Sequence, residues 1–479
     1  MASLGSLSLW FLAIRAPLWL DETSSYWQIS AGFGQIMSRR GGLSPAYSYI
    51  LWLATKIAGT SEIALRIPSI LAMLGAVYLL YRAARELFDR DVAIVTAVVF
   101  CMHPVVIFAS IDVRPYAFAA LALSLAIFVL VRLRQSNSKW LAGLFGVTAA
   151  LIIYFHLLFG LALPVLALCF IASKIRDRRA LYQQGGIALA SFAFASLPLL
   201  PDALRTFQGR QMLVFSNQPL KLSDLGWTLV PGRKLVAILV GTALIAAVTG
   251  RLKILDRMRS WRLLLCVSLA FVPLLFLFGM SAATPLHMFM LRYRLVAIPG
   301  IALCWGLFVS QIDSRLIRML FCAGVVSVTA YQCVRSPESR QHGYTWKYAL
   351  EFAEKNASVD HAPVLICSDF PSADYLPMPV GAEVKNSGLF TPLSYYKVSV
   401  PVVAMPRALN NEAVRAGSAF VQEAAQRRER FLALAYIPSY ETLDWLTSIS
   451  SPTHVARKLA ELDEIQVLEF DPRGSEPPH

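Results

Sequence analysis

Apolar stretches of about twenty residues, separated by short basic clusters, recur throughout residues 1–335. A helix of about 20 apolar residues spans the hydrocarbon core of a bilayer. Backbone in lipid must satisfy its own hydrogen bonds, which leaves helices or closed barrels. Stretches this long, without strict alternation, read as transmembrane helices. Composition agrees: 56% of the 479 residues are hydrophobic and 15% charged, against about a quarter charged in soluble domains. A soluble enzyme, a disordered chain and a fibrous protein are excluded.

The apolar stretches fall near 3–20, 63–82, 92–110, 116–132, 140–155, 157–173, 186–201, 235–250, 263–280, 295–311 and 316–333, eleven expected spans. The fifth and sixth are divided only by His156. The first reads as uncleaved, because Arg15 lies inside it and Asp21 and Glu22 follow with no small-residue cleavage site.

Residues 1–335 carry 31 Lys and Arg against 12 Asp and Glu, whereas residues 336–479 carry 13 against 18. The basic excess gathers in alternate loops: Arg82, Arg85, Arg90; Arg132, Arg134, Lys139; Lys174, Arg176, Arg178, Arg179; Arg251, Lys253, Arg257, Arg259, Arg262; Arg315, Arg318. The positive-inside rule places these loops in the cytoplasm, with the N-terminus inside and the acidic tail outside. This pattern belongs to topology, and no nucleic-acid partner is expected. The chain therefore reads as a polytopic α-helical membrane domain, 1–335, with a first outer loop at about 21–62, followed by an extracytoplasmic α/β domain, 336–479.

The outer loop at 21–62 carries Tyr26, Trp27, Tyr47, Tyr49 and Trp52, which suits helices lying in the interface. In the tail, Tyr344–Asn356 is expected as a helix. Pro363–Ser368, Phe431–Ile437 and Ile465–Phe470 are expected as strands, with helices near 408–430 and 440–449. This alternation favours a mostly parallel sheet. No glycine-rich nucleotide fingerprint follows a strand. The seven cysteines form no CxxC pair and no disulfide framework.

The acids of the membrane part sort by side. Glu86, Asp89, Asp91, Asp177, Asp256 and Asp313 stand among basic loop residues. On the other side Asp21, Glu22 and Asp112 stand at expected span ends, where a carboxylate is costly unless paired or used. Asp21 or Glu22 could equally cap a helix beginning near Thr23. Asp112, Arg114 and Tyr116 lie where one span leaves and the next enters. Arg114 either pairs with Asp112 or holds an anion at the helix start beside Pro115. Arg66, Arg292 and Arg294 are among the cations on the side the positive-inside rule disfavours, and lipid headgroups or a bound phosphate account for them. His156 is either a hydrogen-bonded structural residue or part of a site, and His103 reads as structural. No HExxH or other metal spacing occurs.

Several segments together resemble the GT-C fold membrane glycosyltransferases. They are Leu20-Asp21-Glu22, SPAYSYIL at 44–51, ALRIPS at 64–69, DVRPYAF at 112–118, YFHLLFG at 154–160 and RYRLVAIPG at 292–300. The chain is most similar to the protein mannosyltransferase-like and aminoarabinose transferase-like enzymes, including the bacterial RgtA/B/C/D-like group. GYTWKYALEFA at 343–353 resembles the opening of the outer domain in bacterial members. The resemblance implies an inverting glycosyltransferase of the inner (plasma) membrane of a bacterium. It would move a sugar from a polyprenyl-phosphate donor to a glycan, lipid or protein acceptor outside the cytoplasm. It implies Asp21, Glu22 and Asp112 as catalytic, and Arg114, Tyr116, Arg292 and Arg294 around the donor phosphate, with His156 and Arg66 as further site candidates. A divalent metal stays open. The family's second acid is more often Glu than Asp, and its first loop often has His-Pro-Pro where this chain has Ser44-Pro45-Ala46. A transporter or lipid flippase is the alternative, although broken spans, midplane charges and related halves are not evident in the sequence.

Overall fold

The structure, a computed structural model, describes residues 8–39, 45–208, 220–252, 260–285, 288–335, 346–374 and 376–474. It divides into two compact units: Met1–Arg15 with Arg40–Arg340, and Ala16–Arg39 with Gln341–His479. The segment carrying Asp21 and Glu22 thus belongs with the tail, a grouping that hydropathy alone does not suggest.

Among the described residues of the first unit, seven helices are long and apolar enough to cross a membrane, and nine when two bent pairs are each counted as one span. They include Glu62–Leu87, Tyr116–Arg134, Trp261–Ala283, Leu291–Ser310 and Arg315–Arg335. Lys139–Phe155 is a shorter apolar helix. Polar side chains set several starts. Ser61, Asp89, Ser138 and Asp177 accept the backbone N–H of Ala64, Val92, Leu141 and Ala180 at 2.9 to 3.3 Å, which satisfies donors that a helix start leaves open.

One expected span is corrected and another is bent. The stretch near 3–20 is not a continuous helix over its described part: Ser8–Phe11 makes a single turn, and a separate helix opens at Leu20. Pro17 lacks an N–H and disfavours helical backbone at Ala16. The stretch 92–110 is two helices, Arg90–Met102 and Pro104–Ser110, bent by 67°. Pro104 holds His103 in extended backbone (φ −67°, ψ 129°), and the His103 Nδ1 accepts the Val105 N–H at 3.2 Å.

The basic loops meet on one face. Arg132 pairs with Glu86 at 3.0 Å, Arg315 with Asp91 at 3.2 Å and Arg318 with Asp89 at 2.9 Å. Lys174 donates to the Ser136 carbonyl at 2.9 Å, and the Asp313 N–H to the Arg251 carbonyl at 2.9 Å. Exposed pairs contribute little stability, but they show that alternate loops share a side. The helix Tyr116–Arg134, 19 residues long, carries the chain about 28 Å from that face to the opposite one.

The second unit holds a five-stranded sheet of order β2-β1-β3-β5-β4. Its strands are β1 (Val364–Cys367), β2 (Val402–Met405), β3 (Phe431–Tyr436), β4 (His454–Leu462) and β5 (Ile465–Pro472). Its helices, labelled within this unit, are α1 (Leu20–Ser30), α2 (Trp346–Ala357), α3 (Thr391–Tyr395), α4 (Asn411–Arg427) and α5 (Tyr440–Ser450). Alternate strand residues feed two cores. Val364, Ile366, Leu432 and Leu434 pack with α2, and Leu365, Cys367, Phe431 and Ala433 pack with α4 and α5 residues such as Val421 and Leu446. β1, β2 and β3 are parallel, but β5 runs antiparallel to both β3 and β4. The sheet is therefore mixed rather than mostly parallel. Two strands escaped the sequence reading. β2 has only four residues, and β4 is a charged edge strand, HVARKLAEL, without clean alternation.

Candidate active site

In the first unit the structure brings Asp112, Arg114, Tyr116, His156 and Tyr293 together from three segments at the face away from the basic loops. The chain after Pro104–Ser110 leaves helical geometry, so residues 111–115 form a connection that exposes backbone groups to side-chain partners. Asp112 is fully buried, and its carbonyl accepts the Ser69 hydroxyl at 2.7 Å. Ser69 closes the ALRIPS segment, so that motif supports the connection from the neighbouring helix. Arg114 is 8% exposed and Tyr116 1% exposed. Pro115 sits just before the first helical residue, its carbonyl accepting the Ala119 N–H at 2.9 Å.

His156 ends the helix Lys139–Phe155 in extended backbone (φ −159°, ψ 118°). Its ring lies 5.1 Å from that of Tyr116, 5.5 Å from Tyr293 and 5.5 Å from Phe159. Its Nδ1 is buried, without a hydrogen-bond partner among the described residues. The guanidinium groups of Arg114 and Arg292 both lie within electrostatic reach of this imidazole. The Arg292 guanidinium stands over the Tyr293 ring, 5.4 Å from its centre.

Arg294 is placed differently. Its guanidinium donates to the Phe289 carbonyl at 3.0 Å and to the Thr228 hydroxyl at 3.3 Å, and it lies 4.2 Å from the Phe289 ring centre. The Thr228 carbonyl in turn lies 3.0 Å from the His103 Nε2. Arg294 and His103 thus brace a second polar junction rather than the Tyr116 cluster. Arg66, 1% exposed, donates to the Ile14 carbonyl at 2.9 Å. Tyr47 of the SPAYSYIL segment is buried against Phe118, ring centres 5.7 Å apart. Ser44 lies outside the described residues.

In the second unit, Asp21 and Glu22 stand in the first turn of α1. Asp21 is half-buried and Glu22 fully buried. A Glu22 carboxylate oxygen accepts the Trp19 backbone N–H at 3.2 Å, closing the helix start. The two acids therefore differ in kind: Glu22 shapes the turn, and Asp21 is the more accessible. Among the described residues no group of three His, Cys, Asp or Glu is placed to share a metal ion.

The model of the dolichyl-phosphate-mannose-protein mannosyltransferase family matches residues 43–197. The solved structure of ArnT from Cupriavidus metallidurans bound to undecaprenyl phosphate is similar over 98% of this chain and 97% of its own, at 13% identity and a TM-score of 0.54. EmbB, the arabinosyltransferase from Mycobacterium smegmatis, is similar over 73% of this chain and 42% of its own, at 15% identity and a TM-score of 0.45. The Archaeoglobus fulgidus oligosaccharyltransferase is similar over 99% and 73%, at 12% identity and a TM-score of 0.45. No curated protein sequence matches at a significant level. The end-to-end likeness to ArnT shows the fold: this chain has the GT-C fold, as its motifs lead one to expect. It is a multi-pass membrane protein.

Proposed function

We propose that this chain is an inverting glycosyltransferase that takes a sugar from a polyprenyl-phosphate donor and passes it to a glycan, lipid or protein acceptor outside the cytoplasm. The observation that carries this reading is the packing of the Tyr116, His156 and Tyr293 rings, 5.1 to 6.4 Å apart, with the Arg292 guanidinium over Tyr293 and the buried Arg114 two residues before Tyr116, on the face away from the basic loops. ArnT, which shares the fold, was solved with undecaprenyl phosphate bound, a lipid with the anionic headgroup that such a cluster suits. The matched mannosyltransferase family is named for a lipid-phosphate sugar.

The chemistry divides between the groups. A sugar hydroxyl is a poor nucleophile, and Asp21 takes its proton as attack on the anomeric carbon begins. Glu22 holds the turn that carries Asp21, and Asp112 is the second acid, two residues from Arg114. The bond from the anomeric carbon to the phosphate oxygen breaks, and negative charge grows on the departing phosphate. Arg114 and Arg292 stabilise that charge, with Tyr116 beside them. Arg294 supports the segment that carries Arg292. The basic loops and the N-terminus lie in the cytoplasm of a bacterium, and the acidic tail lies outside its inner membrane, as the loop charges support. The charged residues of the cluster sit at span ends, and no neighbour favours the transporter or flippase alternative.

Binding of undecaprenyl phosphate to the purified protein tests the donor site. Arg114→Ala and Arg292→Ala are expected to weaken binding at least tenfold, and Arg114→Lys to bind more weakly than wild type because it loses the planar fork. Wild-type affinity in a well-folded Arg114→Ala protein contradicts the assignment.

A further inference from the structure

The helix with the Asp-Glu motif is fastened to the α/β unit along one face. The Leu18 N–H donates to the Tyr396 hydroxyl at 2.6 Å, just before α1. The Thr23 and Thr391 hydroxyls share a hydrogen bond of 2.9 Å. The Trp27 indole N–H donates to the Asn386 carbonyl at 2.7 Å. The Tyr26 ring meets Tyr395 edge-on, centres 4.9 Å apart. Gly388 lets the Trp27 indole lie flat on the chain: a Cβ there would stand 2.9 Å from its Cη2. Every one of these partners comes from 386–396, around the short helix α3.

Thr23, Tyr26 and Trp27 follow the i, i+3, i+4 spacing of a single helix stripe. At about 100° per residue, Asp21 lies about 160° around the helix from Thr23. The contacts therefore grip one side of α1 and present Asp21 on the other. Leu20 also helps line a small cavity with Ser368, Asp369, Phe390 and Leu393, next to the α3 grip.

We infer that the segment 386–396 is a positioning clamp for Asp21, with Thr391, Tyr396 and Gly388 as positioning residues. This gives the segment 386–396 a part in the reaction without touching substrate, and it rests on the reading of Asp21 as base. A helix free to swing by 1 Å would lose roughly 100-fold in rate.

The test uses the full-length protein. In a Thr391→Val/Tyr396→Phe double variant, kcat is expected to fall roughly 10- to 100-fold, with the KM for the lipid-linked donor unchanged. Amide hydrogen exchange is expected to rise over residues 20–30 and to stay unchanged in β1 and β3. A Thr391→Ser variant, which keeps the hydroxyl, is expected to retain both rate and protection. Faster exchange with unchanged kcat overturns the positioning role. Unchanged exchange overturns the clamp, whatever the rate, and a rise in donor KM at constant kcat overturns it in favour of a binding role. Asp21→Asn is measured alongside. If it is fully active, the base assignment falls and with it the positioning of a base, while the exchange data alone still decide whether α1 is clamped.

Discussion

Arg292 and Arg294 are two residues apart, and the roles proposed for them differ. Arg294 is tied to a carbonyl, a hydroxyl and an aromatic face, so its removal strips partners from a buried junction. Arg294→Ala is expected to lower the yield of folded membrane protein, a change of about 1–3 kcal/mol for the groups left unsatisfied. Arg292→Ala is expected to leave yield intact and weaken phosphate binding. Thermal stability and lipid binding measured on both variants check this division, and identical profiles would refute it. The sequence offered both arginines on equal terms, because the flanking pattern Arg-Tyr-Arg carries no record of which way each side chain turns.

Asp369, outside the membrane unit, gives a pH prediction. Its burial pushes the carboxyl up to about 8, opposed by the Trp346 N–H and by Arg407. The Trp346 indole donates to one oxygen at 2.5 Å, while the other has no hydrogen-bond partner among the described residues. In the unfolded chain the group titrates near 3.9. The folded state therefore holds the proton more tightly, and the contribution to stability is fully present below about pH 4 and lost as pH rises towards 8. Thermal unfolding of the full-length protein should show the α/β unit weakening over that interval. Asp369→Asn should flatten the profile and raise the midpoint above pH 8. A wild-type profile that rises with pH across the interval would contradict the buried, protonated carboxyl.

At the scale of elements, helix packing around the site depends on small residues. Leu291–Ser310 carries Arg292 and Tyr293 and crosses Trp261–Ala283 at Gly300, where a Cβ would come within 2.3 Å of the Ala270 nitrogen. Close backbone approach at a small residue is the usual basis of helix association in lipid. Gly300→Leu is expected to separate the pair, lower folded yield sharply and remove activity. Gly241, where an added Cβ would meet nothing within 4 Å, should accept alanine with little change. Comparing detergent-extracted yield of the two variants checks the claim.

Much of this level was legible in the sequence. Long apolar runs located the helices from 62 onward, and the one-residue break at His156 is where the chain turns. The 67° bend at Pro104 was not read, although proline and histidine mark it, because hydropathy continues unbroken through it. Leu20–Ser30 is a helix in the loop where interfacial helices are expected, but its grouping is not. The apolar run before it suggested a span, but Pro17 interrupts it and the helix belongs to the α/β unit. Membership of a unit is decided by contacts at 386–396, more than 350 residues away, which no local pattern encodes. β2 and β4 were missed because one is too short and the other too polar to show alternation.

At the scale of the whole molecule, the alternate basic loops gather on one face and the Asp112–Arg114 cluster lies on the other, as the loop charges led one to expect. The sidedness proposed for the cell rests on the positive-inside rule. A reporter active only outside the cytoplasm should work when fused after residue 479 and fail near residues 88 or 178. The reverse pattern would put the arginine cluster on the wrong side for an outer acceptor.

The proposed reaction is transfer of a sugar from a lipid phosphate. The most direct measurement is mass spectrometry of polyprenyl-phosphate sugars and surface glycans in cells with and without the gene. Loss of one sugar from a surface glycan, lipid or protein is expected, with accumulation of the same sugar on its lipid carrier. An Arg114→Ala copy should fail to reverse either change, and a wild-type copy should reverse both. Unchanged surface sugars together with unchanged lipid-linked sugars would contradict it.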